Sequence, residues 1–332
     1  MIRVGLLGTG RIGSLHAETI ASSRESTLDL VADVDDESAK KLAAQFGAAV
    51  KPSDEIISDP NIDAILIATS TDTHSDFIEK AAAAGKAIFC EKPVDLSLAR
   101  AKKCLEKVSA ANNSIMIGFN RRFDPNFAEL KKSLDDSEIG KSELLTITSF
   151  DPAPPPISYV KKSGGLYRDM MIHDFDLSNF MMGELPVTIS AVGQSLVDLE
   201  IGAVGDVDTA VVTMVYADGK IAVVKNSRRA SYGYDQRIEI LGSEGLLQAE
   251  NILENSVIKS NNDGVISAKP KYFFLERYLS AYKAEWSAFT KSIKENKTVP
   301  VTLRDGVVAL AMAEAATQSQ NTGKTVQLKD LL

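Results

Sequence analysis

The sequence has 332 residues, 44% of them hydrophobic and 25% charged, with a formal net charge of -8 at pH 7. These values suit a globular chain of two ordinary domains, and the acidic balance excludes the basic footprint of a nucleic-acid-binding protein. The two cysteines, Cys90 and Cys104, exclude a disulfide framework and read as small core residues in a reducing compartment.

The opening "MIRVGLLG" reads as a strand and not as a signal peptide, and no apolar run approaches the ~18 residues of a membrane span. A cytoplasmic location is expected. A helix follows from about Ile12 to Ser22, then the strand "LDLVAD" and the helix "DESAKKLAAQFG", closed by Gly47. "IDAILIAT" is a nearly continuous apolar strand of the kind found in parallel sheets covered on both faces. "HSDFIEKAAAAGK" is helical, "AIFCEKP" is a strand, and a further amphipathic helix starts near Ser97. "SIMIGF" closes a first domain, residues 1–120, whose alternation predicts a doubly wound parallel α/β sheet.

Beyond about Asn120 strand-like segments dominate: "ELLTITSFD", "TISAVGQSLV", "TAVVTMVY", "KIAVVKNSR", "QRIEILGS" and "LLQAEN". Asp218-Gly219 between two of them marks a hairpin. Helix returns over 276–296 and 304–320. Residues 121–332 are thus expected to form a C-terminal α+β domain with a mostly antiparallel sheet. "DPAPPPISY" inside it reads as a rigid loop.

Gly8-x-Gly10-x-x-Gly13 lies between a strand and a helix, with Asp33 ending the next strand. Gly8 permits the tight turn, Gly10 lets the backbone approach a pyrophosphate, and Gly13 lets helix and strand pack. The helix N-terminus offers unpaired N–H groups to phosphate. A carboxylate at Asp33 accepts ribose hydroxyls and repels a 2′-phosphate. The following Val34, Asp35, Asp36 and Glu37 supply no cation, so NAD is favoured over NADP.

"FCEKPV" sets Glu91 and Lys92 just past a strand end, where ligands bind in open parallel sheets. In "GGLYRDMMIHDFDLSNF", regular helical turns would bring Asp169, His173 and Asp176 within an arc of about 60° on an otherwise apolar helix. Histidine is suited to general-base work near neutral pH, and lysine to stabilising charge on a reacting oxygen. His16 is expected to be structural. Three scattered histidines argue against a metal site.

Taken together, GxGxxG, Asp33, "ATSTDTH" (68–74), "EKP" and the helix from Asp169 to His173 resemble the Gfo/Idh/MocA oxidoreductases over essentially the whole chain. The resemblance implies an N-terminal Rossmann domain joined to a C-terminal domain with a large open sheet that forms dimer or tetramer contacts. "SFDPAPPPISYVKKSGGLYRDMMIHDFD" looks most like the inositol dehydrogenases, which implies Lys92, Asp169 and His173 as the catalytic set. It further implies Gly8, Gly10, Arg11, Ile12, Gly13, Asp33, Thr69, Ser70, Thr71, His74, Glu91 and Lys92 around NAD. Arg121, Asp151, Asp176 and Tyr234 are implied near a polyol with Lys92, Asp169 and His173, and the Lys92–Pro93 bond is implied to be cis. Phe150 departs from the pattern, standing where the inositol enzymes carry an arginine, and is expected to remove hydrogen-bond donors near the pocket. The implied reaction is NAD-dependent oxidation of myo-inositol to its 2-keto derivative. Alternatives are scyllo-inositol, a pyranose sugar, or a regulator that binds the dinucleotide without turnover.

Overall fold

Six short apolar runs build the first sheet: β1 (Ile2–Leu7), β2 (Ser26–Ala32), β3 (Ala49–Val50), β4 (Ala64–Ile67), β5 (Ala87–Glu91) and β6 (Ile115–Gly118). They pair in parallel in the order β3-β2-β1-β4-β5-β6. Every residue of β4 and β6 is buried, which explains their lack of polar alternation. Helices α1 (Arg11–Ser22), α2 (Asp36–Phe46), α3 (Ser53–Ser58), α4 (His74–Ala83) and α5 (Leu98–Val108) make the connections. Asp35 caps α2 by accepting the N–H groups of Glu37 and Ser38, and Gly47 ends it at φ +71°.

The structure is a computed structural model that describes residues 1–110 and 113–332. It divides into two units: Met1–Asn120 with Ala281–Leu310, and Arg121–Ser280 with Ala311–Leu332. A single boundary after residue 120 therefore leaves out a late segment of the first unit. The reason is aromatic packing. Trp286 and Phe289 set their rings 5.8 and 5.6 Å from Phe89 of β5, and the Trp286 indole donates to Ser26 Oγ at 2.9 Å.

In the second unit β7 (Ser142–Phe150), β8 (Thr188–Gln194), β9 (Thr209–Val215), β10 (Ile221–Ser227), β11 (Asp235–Gly242) and β12 (Leu246–Ala249) form the main sheet. A short strand near the chain end, Val326–Gln327, completes its edge, and Ile258–Asn261 with Gly264–Ser267 makes a separate hairpin. All pairs in the main sheet are antiparallel except β7 with β10. Gly219 turns the β9–β10 hairpin at φ +91°, as its Asp-Gly signal predicts.

Helix α6 (Pro125–Asp135) was not expected, although its start carries a clear signal: Asp124 accepts from Asn126 and Phe127, and Pro125 occupies the first helical position. The Pro-rich segment leads into α7 (Ile157–Ser163). The expected continuous helix over 164–180 is instead α8 (Gly165–Asp169) and α9 (Ile172–Met182). The N–H of Met171 reaches back five residues to the Leu166 carbonyl, which widens the turn and buries Met170 and Met171 in succession. The single polar stripe is broken there, and Asp176 turns into the protein interior.

Candidate active site

The carboxyl ends of β1, β2, β4 and β5 deliver the cofactor candidates of the first unit. Parallel register brings Leu7 beside Ala32 and Ile67, and Ile67 beside Cys90, so Gly8, Asp33, Ala68 and Glu91 emerge from one edge. Gly8 has φ +95°, and a Cβ there would lie 2.3 Å from the Ala68 carbonyl oxygen. A Cβ on Gly13 would lie 2.0 Å from the Gly8 carbonyl oxygen. A Cβ on Gly10 would meet nothing within 4 Å. The loop is therefore closed at Gly8 and Gly13 and open at Gly10, where Arg11 and Ile12 begin a helix lacking any side-chain cap. That is the shape a pyrophosphate requires.

The Asp33 carboxylate accepts from Thr9 N at 2.6 Å, Thr9 Oγ1 at 3.0 Å and Asp35 N at 2.9 Å. Burial acts to raise its pKa, but these bonds outweigh it and hold the group below the usual carboxylate value. With about four acceptor positions, the anion keeps capacity for a ribose hydroxyl. The next loop carries Thr69, Ser70 and Thr71, and Thr69 Oγ1 shares a 2.7 Å bond with Thr73 Oγ1. Buried His74 sets its two ring nitrogens 2.8 Å from the Pro93 carbonyl oxygen and 3.1 Å from that of Thr69. Buried Glu91 lies 2.7 Å from His16 Nε2, the half-buried Lys92 follows, and the Lys92–Pro93 bond is cis.

In the second unit a sheet edge again does the positioning. Because β7 and β10 run parallel, with Phe150 beside Ser227, the residues one step further, Asp151 and Arg228, leave the sheet side by side. Antiparallel β11 enters beside Phe150 at Asp235, so Tyr234 reaches the same edge. Arg228 is 2% exposed; it lies 3.4 Å from Asp169 Oδ2 and 3.9 Å from Asp151 Oδ2. Asp169 also accepts from Tyr159 Oη at 2.9 Å. Burial pushes the Asp151 pKa up to about 6, with Arg228 opposing and Asp169 reinforcing the shift. Burial also raises the Tyr234 phenol well above its ordinary value.

Behind this edge lies a buried network. Arg121 donates to Ser149 Oγ at 2.8 Å and to Asp174 Oδ1 at 2.5 Å, and Asn226 donates to Asp174 Oδ2 at 2.8 Å. Asp176 takes a two-point pair from Arg122. Asp151, Asp169 and Tyr159 are thus brought around Arg228, whereas Arg121 and Asp176 are each committed to a protein partner. His173 is half-buried near the start of α9. Arg228 was not among the expected site residues. Its only sequence signal was the Arg228-Arg229 pair, and 59 positions separate it from Asp169. Phe150 alternates to the sheet face opposite Ser149, which joins the Arg121–Asp174 network.

Comparison with known proteins places this geometry. Residues 2–119 match the family model described as an oxidoreductase family with an NAD-binding Rossmann fold, and residues 131–328 match its C-terminal α/β domain. The chain is 46% identical to inositol 2-dehydrogenase of Rhizobium meliloti over 96% of each sequence. It is 42% identical to myo-inositol 2-dehydrogenase of Thermotoga maritima over the whole of both. The crystal structure of a myo-inositol dehydrogenase from Corynebacterium glutamicum superposes with a TM-score of 0.95 at 42% identity, covering 99% of each chain. With the glycine loop, the Asp33 acceptor and both family domains in place, the chain belongs to the Gfo/Idh/MocA oxidoreductases and carries their NAD-binding Rossmann domain.

Proposed function

We propose that the protein oxidises a ring hydroxyl of a cyclic polyol, myo-inositol, to give its 2-keto derivative. The observation that carries this reading is end-to-end similarity to inositol 2-dehydrogenases, joined to a second unit that arrays Asp151 and Asp169 as hydroxyl acceptors around a buried guanidinium. NAD, when bound, supplies the hydride acceptor.

Oxidation of the alcohol requires a hydride to leave carbon and a proton to leave oxygen. His173 accepts that proton as general base. Lys92 donates a hydrogen bond to the same oxygen and stabilises the negative charge that develops as the proton departs. Asp169, fixed by Tyr159 and Arg228, accepts a hydroxyl of the ring and so orients the reacting carbon. Asp151 and Tyr234 bind other hydroxyls, and Arg121 and Asp176 support the site from behind through Asp174 and Arg122. Gly8 through Gly13, Asp33, Thr69, Ser70 and Thr71 hold the dinucleotide.

The working form is a symmetric homo-oligomer. The outer face of the second sheet supports this reading, since Val192, Val211, Val215, Ile221 and Leu241 are all exposed on it. A cytoplasmic location is supported by the free thiols of Cys90 and Cys104.

The test is NADH formation with myo-inositol, scyllo-inositol, chiro-inositol, glucose and galactose, each with NAD and with NADP. Turnover of myo-inositol with NAD is expected. Turnover confined to a sugar overturns the substrate, and NAD binding without turnover of any of them overturns the enzymatic reading.

A further inference from the structure

The first unit spends two of the chain's three histidines on the immediate neighbours of Lys92. On the amino side, His16 Nε2 lies 2.7 Å from Glu91 Oε1. On the carboxyl side, His74 Nδ1 lies 2.8 Å from the carbonyl oxygen of Pro93. Both rings are 1% exposed. His16 stands on α1 between the edges of Phe89 and Tyr282, with centroids 5.2 and 5.6 Å away. His74 is the first residue of α4. The lysine turn is thereby tied to two helices, one starting at the glycine loop and the other at the Thr69–Thr73 loop.

We propose that His16 and His74 are positioning residues which fix Lys92 from both sides by opposite ring nitrogens. This inference rests on the reading of Lys92 as the group that stabilises the reacting oxygen. His16 uses its Nε2–H toward a carboxylate that only accepts, and its Nδ1 has no hydrogen-bond partner among the described residues, in keeping with that tautomer. Burial lowers the His74 pKa below the ordinary histidine value, with the Pro93 and Thr69 carbonyl contacts opposing the shift. Both ring nitrogens are occupied by carbonyl oxygens, and the shorter contact, from Nδ1 to Pro93, is the one on the lysine turn. His74 therefore acts on the lysine turn and not as a direct ligand of the cofactor.

The glutamate side has a further constraint. A Cβ on Gly118 would lie 3.1 Å from Glu91 Oε1, so glycine at the end of β6 leaves room for the carboxylate to meet His16. Misplacement of a catalytic ammonium by a fraction of a bond length is expressed in turnover more than in binding.

The two nitrogens give a crossed test, because a glutamine amide mimics Nε2 of histidine and an asparagine amide mimics Nδ1. His16→Gln and His74→Asn are expected to keep kcat within about threefold of wild type. His16→Asn and His74→Gln are expected to lower kcat about tenfold, with the Kd for NADH, read by fluorescence titration, changed less than about twofold. Lys92→Met is measured beside them. If Lys92→Met retains turnover, the catalytic reading of the lysine fails. If Lys92→Met is inactive but both members of each histidine pair behave alike, the positioning inference is overturned. Loss of NADH affinity in step with kcat also overturns it, since the histidines would then be serving the cofactor.

Discussion

Arg122 grips both carboxylate oxygens of Asp176, Nε to Oδ2 at 2.8 Å and a terminal nitrogen to Oδ1 at 2.5 Å, with the Phe180 ring 5.2 Å from the guanidinium carbon. Their side chains are only 9% and 2% exposed. Removing one partner of such a pair strands a charge in the interior, at a cost of about 3 kcal/mol. Asp176→Ala is therefore expected to lose about that much stability in urea unfolding. The Arg122→Met, Asp176→Leu double variant is expected to recover a large part of it. Activity per folded molecule should fall far less than in Asp169→Ala.

Asp151 introduces a pH dependence of opposite sign to that of most paired carboxylates. Its folded pKa is raised to about 6, so the folded state holds its proton more tightly than the unfolded chain does. The stability it contributes is present below the unfolded value of about 4 and is lost as pH rises through about 6. Asp151→Asn should gain stability over wild type at neutral pH and little at about pH 4, as read by the urea midpoint. In kinetics, the KM for the polyol should fall as pH rises through about 6, and this limb should vanish in the asparagine variant.

Arg228 opposes that shift from within the same cluster. Arg228→Met leaves the Asp151 and Asp169 carboxylates with no cation between them, so the acid limb of the KM profile is expected to move to higher pH. Turnover should fall at least tenfold as Asp169 loses a fixing partner. An unchanged pH profile in a folded Arg228→Met variant would remove the guanidinium from the substrate-binding account.

The glycine loop separates packing from binding. Gly13→Ala would drive a methyl group to 2.0 Å from the Gly8 carbonyl oxygen and should reduce both stability and NAD affinity. Gly10→Ala meets nothing within 4 Å and should leave thermal stability near that of wild type, yet weaken NAD at least tenfold by filling the approach to the backbone. Thermal melts with and without NAD distinguish the two.

Much of the first unit is legible in the sequence because its determinants are local. Continuous apolar strands, the Gly47 helix stop and the glycine loop each announce themselves within a dozen residues. Asp33 is found the same way, by its place at a strand end. The features that escape sequence reading depend on distant partners. Trp286 joins the first unit because Phe89 and Ser26 receive it. Asp176 faces inward because Arg122 is there, and no periodicity argument sees the guanidinium. Arg228 meets Asp151 only through the parallel register of β7 and β10. The break at Met170–Met171 was concealed by a composition that suits one helix as well as two.

That lone parallel pair also orders events during synthesis. Adjacent parallel strands cannot be joined by a tight turn, and here about seventy residues separate the end of β7 from the start of β10. The intervening chain contains α8, α9 and the whole of β9, hence Asp169 and His173. As the polypeptide leaves the ribosome, these helices emerge before the strand whose end supplies Arg228, and β7 waits with both edges unpaired, since its two neighbours β10 and β11 are made later. Closure of so long a loop makes the centre of the sheet a late and slow step in folding. The open edges of β7 leave the nascent second unit exposed to association until both β10 and β11 have been made.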